Sequence, residues 1–156
     1  MYILRKMANW EKCVAWKQMI NDTILPYSRE LKKKIVLTHD GLYYEDTEEA
    51  KDASRQITEE SMEKIDRAVD DINKRYERCP PYGKKATNSY TGKHHIEEED
   101  GYYMTNGEFI LAVFCSGVLG ESGSPKDWLK WSKGATGNKK KMNLNIVFPM
   151  RLKKVG

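Results

Sequence analysis

The stretch Thr105-Asn106-Gly107-Glu108 followed by the unbroken apolar run Phe109 to Cys115 constrains this chain more than any other. Threonine with glutamate three residues on is a capping box: the hydroxyl takes the amide of the third helical residue, and the carboxylate takes the cap's own amide. Gly117 follows as a stop. A helix that is apolar all round has no face to show to water, so this run predicts the central buried element of the fold. A buried strand is the competing reading of so short a run. The helix is preferred because of the capping box, and because only two of the seven residues are β-branched.

Seven is also the longest apolar run in the chain, far short of the roughly 20 residues that a membrane-spanning helix needs. With 156 residues, 39% hydrophobic and 32% charged, one compact core is feasible and two large domains are not. The mean hydropathy of −0.76, like the short apolar run, argues against a membrane-spanning helix.

The remaining segments are expected to pack around that centre. Ile3, Met7, Trp10 and Val14, widened by Cys13, Trp16 and Ile20, form an apolar arc on a helix over about residues 2–21. A short helix is expected over 27–35 after Pro26. Ile35 to Thr38 and Leu42 to Glu45 flank His39-Asp40-Gly41, and Asp-Gly between β-formers predicts a hairpin. Asp46 as cap, with Glu49 three residues on, opens a helix expected to run from 47 to 78 with a break near Thr58. Its buried stripe is Ile57, Met62, Ile65, Val69, Ile72 and Tyr76, joined by Ala68.

Cys79-Pro80-Pro81-Tyr82-Gly83 stops that helix. It makes 79–87 the candidate sub-boundary of a single domain over 1–156, between a helical half at 1–78 and a basic half at 88–156. Asn88 to Glu99 reads as a helix weakened by Gly92 and ended by Gly101. Ser124-Pro125 opens a short helix carrying Trp128, Leu129 and Trp131. Residues 134–141 form a glycine- and lysine-rich loop, Met142 to Phe148 alternate as a half-buried strand, and 151–154 read as a basic tail. The expected class is α+β, mainly α: one helical domain with a short hairpin and a C-terminal strand.

Charge is strongly segmented. The net charge is +5 over residues 1–39, −8 over 40–71, zero over 72–120 and +7 over 121–156. Two readings follow. Either a basic surface meets nucleic acid while an acidic one meets another partner, or the segments lie together in the fold and cancel. The candidate acidic partner face is Glu48, Glu49, Asp52, Glu59, Glu60, Glu63 and Asp70. The candidate nucleic-acid contacts are Lys126, Lys130, Lys133, Lys139, Lys140, Lys141, Arg151, Lys153 and Lys154. On a helix Lys126, Lys130 and Lys133 fall opposite Trp128 and Trp131. That arrangement suits packed tryptophans under a solvated face better than bases stacked beside cations.

No spaced nucleophile motif appears, and the glycines and lysines of 134–141 lack the spacing of a phosphate-cradling loop. His94 with Glu98 and His95 with Glu99 share helix faces, but no further ligand is signalled, so neither a metal nor a cofactor is expected. His39-Asp40 reads as a turn and not as a catalytic dyad. Cys13, Cys79 and Cys115 are odd in number and far apart, which argues against a disulfide framework. Unpaired thiols, with no apolar leader at the N-terminus, suit the reducing cytoplasm.

The stretch Ser89-Tyr90, Lys93-His94, Glu97, then Tyr103-Met104-Thr105-Asn106-Gly107-Glu108-Phe109-Ile110, Ala112 and Gly117 resembles a pattern in small proteins of phages and plasmids. The resemblance covers under a fifth of the chain and brings no activity with it. It implies an accessory protein of a mobile element, of a kind that binds host machinery, host defence complexes included. The expected function is therefore a non-catalytic binding or inhibitor protein that docks on a host protein or nucleoprotein complex. Nucleic-acid binding by the basic C-terminal third is the alternative, and a small metal-dependent hydrolase using His94, His95 and Glu98 is the second alternative. No membrane partner is expected.

Overall fold

A computed structural model of the chain describes residues 2–26, 30–79, 87–119 and 147–154. The apolar run is a helix, α5 (Asn106–Ser116), and every residue from Asn106 to Cys115 is buried. Its first turn closes as the sequence predicts. The Glu108 amide donates to Thr105 Oγ1 at 3.1 Å, and the Thr105 amide donates to Glu108 Oε1 at 2.7 Å. Gly117, at φ +79°, ends it in the left-handed conformation that costs glycine least. A fully buried Phe or Leu side chain contributes about 1.5–3 kcal/mol, so this run is the main apolar contribution to the core.

Among the described residues, four elements make the broadest contacts with α5. The first is α1 (Tyr2–Asn21), which buries Cys13 and Ile20 and sets Trp16 against Phe114 with ring centres 5.3 Å apart. Val14, expected in the apolar arc, is 46% exposed instead, because the face turned to α5 centres on Cys13 and Ile20. Ile3 and Met7 lie outside the described side chains. The second is α3 (Met62–Arg75), whose buried stripe is Met62, Ile65, Ala68 and Ile72. The third is α4 (Ser89–Asp100), capped by Asn88 and ended by Gly101 at φ +74°. The fourth is a three-stranded antiparallel sheet of β1 (Ile24–Pro26), β2 (Lys32–Thr38) and β3 (Gly41–Tyr44), in that order.

The hairpin appears where Asp-Gly predicts it. Thr38 pairs with Gly41, leaving His39-Asp40 as a two-residue turn. The helix expected over 27–35 does not form at Lys32–Ile35. Those residues extend β2, because Ile24 to Pro26 offer Lys32 to Lys34 an antiparallel partner. Residues 27–29 lie outside the described residues.

The helix expected over 47–78 is also divided. α2 (Glu48–Lys51) is capped by Thr47 rather than Asp46, with the Ala50 amide on Thr47 Oγ1 at 3.2 Å. Asp52 then draws the Ser54 amide at 2.9 Å and the Ser54 hydroxyl at 2.6 Å onto its own carboxylate. Such local side-chain bonds compete with helix propagation, and the chain passes through two short 3-10 turns before α3 begins. Tyr76 to Arg78 leave the helix as β4.

The strand expected at the C-terminus bends. Val147–Phe148 form β6, paired with β5 (Thr87–Asn88), and 142–146 lie outside the described residues. Pro149 turns the chain, its carbonyl accepting the Cys79 amide at 2.8 Å. Met150–Leu152 then pair with β4 as β7. Arg151 and Leu152 are thus strand, not tail. Phe148 enters the core against Phe109 and Phe114. The fold is mixed α/β and mainly helical, with a small sheet and two short strand pairs. Among the described residues no helix is long and apolar enough to cross a membrane.

The contact of α3 with the end of α4 is polar. Arg75 Nη2 donates to Asp100 Oδ1 at 2.9 Å, and the Tyr102 hydroxyl donates to Asp71 Oδ2 at 2.9 Å. The Asp71 and Asp100 carboxyls also lie near enough for each to act on the other's titration. Burial, reinforced by the Asp100 charge, holds the Asp71 carboxyl above its ordinary range despite the Tyr102 bond. For Asp100 burial works the same way, but the Arg75 guanidinium works against it and that carboxyl is held low.

A folded value above the unfolded one means stability that is complete below the ordinary carboxyl range and lost as pH rises through the raised value. Asp100 runs the opposite way and loses its contribution as pH falls through its depressed value. Asp71→Asn has no carboxyl to ionise there and so escapes the loss at rising pH. Its Tm relative to wild type is expected to climb between about pH 4 and about pH 7, and a flat difference over that range refutes the upward shift of Asp71.

Candidate binding cleft

The turn of the hairpin is fastened to the first turn of α5 by backbone contact. The Gly107 amide donates to the His39 carbonyl at 2.7 Å, and Asn106 Nδ2 donates to the Asp40 carbonyl at 3.1 Å. His39 Nδ1 lies 3.0 Å from Thr105 Oγ1, and the His39 amide donates to the Arg55 carbonyl at 2.8 Å. This approach depends on glycine. A Cβ on Gly107 would stand 1.8 Å from the Thr38 carbonyl oxygen.

α4 reaches the same place by a second close approach. A Cβ on Gly92 would stand 2.5 Å from Phe109 Cζ, so the glycine that weakens the helix as a sequence is what admits the Phe109 ring. With α4 set down against α5, Tyr90 and Lys93 face the hairpin turn across an open cleft of about 540 Å3. His39, Asp40, Tyr43 and Arg55 line it from the hairpin side, and Tyr103, Thr105 and Asn106 from the approach to α5.

The charges in the cleft are paired. Arg55 contacts Asp40 and also binds Asp52 Oδ2 at 3.2 Å, and these two carboxylates hold its guanidinium above its ordinary value. Burial, with Asp40 and Glu49 adding to it, keeps the Tyr43 phenol protonated to higher pH than usual. Lys93 is only 7% exposed, and lysine is rarely buried without a partner. Its Nζ donates to Glu97 Oε1 at 3.0 Å and to the Met104 carbonyl at 3.2 Å. The same ammonium lies 5.1 Å from the Tyr103 ring centre and 5.7 Å from that of Tyr90, within cation–π range of both. Those two rings are 64% and 52% exposed. The wall of the cleft is thus two tyrosine faces standing in solvent on a fixed, buried cation.

The residues singled out from the sequence lie elsewhere. Glu48, Glu59, Glu60, Glu63 and Asp70 are exposed, and Glu49 and Asp52 are half-buried, with Asp52 engaged by Ser54 and Arg55. They are spread over α2, the 3-10 turns and α3, where exposed Lys64, Arg67 and Lys74 interrupt them. Lys126, Lys130, Lys133, Lys139, Lys140 and Lys141 lie outside the described residues, as do Trp128 and Trp131. Arg151 Nε binds Glu77 Oε1 at 3.0 Å, and Lys153 Nζ donates to the Asn73 carbonyl at 2.9 Å, while Lys154 is exposed. Some of the segmented charge is therefore cancelled within the fold, Lys33 with Asp46 being a further case.

His94 Nδ1 lies 3.4 Å from Glu97 Oε2, His95 sits edge-on to Tyr76, and Glu98 is exposed. Among the described residues no three histidine, cysteine or carboxylate side chains gather as a metal would require. Comparison with known proteins finds no matching family model, no matching curated protein and no matching solved structure.

Proposed function

We propose that this chain is a non-catalytic binding protein that docks on a partner protein, alone or within a nucleoprotein complex, through the cleft between the hairpin turn and the α4–α5 junction. The observation that carries the reading is the pair of exposed rings, Tyr90 and Tyr103, held on either side of the buried Lys93 ammonium. Tyrosine and arginine are the side chains that most often dominate protein interfaces. A tyrosine ring offers a large contact area for the loss of only two torsions. Asp40 with Arg55, and Lys93 with Glu97, are committed to one another, whereas acid–base catalysis needs a group within reach of a reacting proton. The stretch that resembles phage and plasmid proteins supplies Tyr90, Lys93, Tyr103, Thr105 and Asn106 to this cleft. An accessory or inhibitor role in a mobile element, anti-defence action included, is the setting proposed for it.

The test compares three forms of the full chain in quantitative capture from host lysate: wild type, Tyr90→Ala/Tyr103→Ala, and Glu59→Gln/Glu60→Gln/Glu63→Gln. The expected result is a protein retained by wild type, lost by about 30-fold in the tyrosine variant and held within about twofold by the acidic-face variant. Equal capture by wild type and the tyrosine variant removes the cleft from the interface. Salt-sensitive co-elution of nucleic acid, seen as a raised 260/280 nm absorbance ratio, replaces this reading with the nucleic-acid alternative.

A further inference from the structure

The sequence places three cysteines far apart, yet the fold brings two of them into contact. Cys13 on α1 and Cys115 near the end of α5 are 102 residues apart in sequence, and their Sγ atoms lie 3.3 Å from each other inside the core. Both are free thiols, 2% and 6% exposed. We propose that Cys13 and Cys115 form a reversible redox pair, a modification site whose substrate class is a small peroxide and whose product is an intramolecular disulfide fastening α1 to α5. The inference is independent of the cleft reading.

Three observations carry it. The sulfurs need to close by a little over 1 Å to reach the 2.03–2.05 Å of a disulfide, a change within reach of side-chain rotation and slight helix shift. The chemistry is also asymmetric. The hydrogen bond from Cys115 lowers the Cys13 pKa against burial and the Asp66 charge, with Lys12 adding a smaller effect in the same direction, while that same bond and burial push Cys115 up. Cys13 is thus the thiol predisposed to become the nucleophilic thiolate, and Cys115 the one that holds its proton. Finally, both cysteines are buried, which favours a small oxidant over a bulky one.

The steps balance. The Cys13 thiolate attacks one oxygen of hydrogen peroxide, the O–O bond breaks, and hydroxide leaves, giving the sulfenic acid. The Cys115 sulfur then attacks the Cys13 sulfur. The S–S bond forms as the S–O bond breaks, and the hydroxyl departs as water with the Cys115 proton. Two electrons pass from the two sulfurs to the peroxide. A dithiol reductant returns both thiols by exchange.

Cys79, a buried free thiol beside β4, serves as the internal control. The folded full chain is treated with stoichiometric hydrogen peroxide and examined by intact mass and by non-reducing peptide mapping. The expected result is loss of two hydrogens, a single cross-linked peptide joining Cys13 to Cys115, and a Tm raised by about 10 °C for a closed loop of this length. Dithiothreitol is expected to reverse all three. Cys79→Ser is expected to preserve the cross-link. Cys13→Ser and Cys13→Ala, which buries no hydroxyl, are each expected to abolish it, read by mass so that any loss of stability does not enter. Oxygen added to the sulfurs without a cross-link, a cross-link through Cys79, or thiols left free after peroxide treatment overturns the proposal.

Discussion

Replacing Gly107 by alanine is expected to destabilise the chain by about 3 kcal/mol or more, in a position where helix propensity alone favours alanine by about 1 kcal/mol. The sign is decided by what the new methyl group meets. At 1.8 Å from the Thr38 oxygen, 2.8 Å from its carbonyl carbon and 3.0 Å from His39 Cα, it strikes only backbone, so no rotamer change relieves the clash. Either α5 retreats from the hairpin, or the turn gives up its bonds. Retreat breaks the 2.7 Å bond from the Gly107 amide to His39 and the 3.1 Å bond from Asn106 to Asp40, and it pulls on a helix whose every residue from Asn106 to Cys115 is buried. Gly107 is not at a positive φ, so the requirement is for space and not for backbone conformation. Urea unfolding checks it. A midpoint equal to wild type would mean that hairpin and helix are not in contact. A lowered midpoint accompanied by loss of partner capture would tie this junction to the cleft.

That same glycine marks where the sequence could be read and where it could not. Thr105, Glu108 and Gly117 specify α5 locally, and Asp40-Gly41 specifies the hairpin turn locally, so both were legible from a few adjacent residues. β1 and β4 to β7 are two or three residues long and take their identity from partners: Tyr76 from Leu152, and Thr87 from Phe148. No window of sequence contains both members of those distant pairs. The long helix expected from 47 fails for a local reason that was in view, since Asp52 with Ser54 two residues on is a side-chain turn signal.

The cleft was missed because His39-Asp40 explains itself as a turn and Thr105 to Glu108 explains itself as a cap. A capping box, however, does not need glycine between its members. Gly107 inside the box, and Gly92 inside α4, were the residues announcing that another part of the chain comes close. Cys13 and Cys115 were equally legible in part. Each falls on a segment expected to face the core, but nothing in the spacing says that they face each other.

The second large effect is expected at Lys93. Truncating it to alanine is expected to cost about 3 kcal/mol, because it breaks a largely buried ion pair and leaves one partner behind. Its side chain is 9% exposed and that of Glu97 is 19% exposed, so water reaches neither freely. Removing the ammonium leaves the Met104 carbonyl without its 3.2 Å donor and leaves the Glu97 carboxylate with the Met104 amide at 3.5 Å and His94 at 3.4 Å. The penalty belongs to the stranded groups more than to the lost attraction, and that distinction is measurable. Lys93→Met keeps the apolar stem between Tyr90 and Tyr103 but strands the same carboxylate, so it is expected to recover only part of the loss. Adding Glu97→Gln removes the stranded charge, and the double variant is expected to return to within about 1 kcal/mol of wild type. A double variant no more stable than Lys93→Met would show that the lysine acts through its contacts with the rings and the Met104 carbonyl alone. Partner capture separates stability from recognition in this series. If the ammonium serves to hold Tyr90 and Tyr103 in place, the refolded double variant retains its stability yet binds more weakly than wild type, because the rings have lost the cation that fixes their faces.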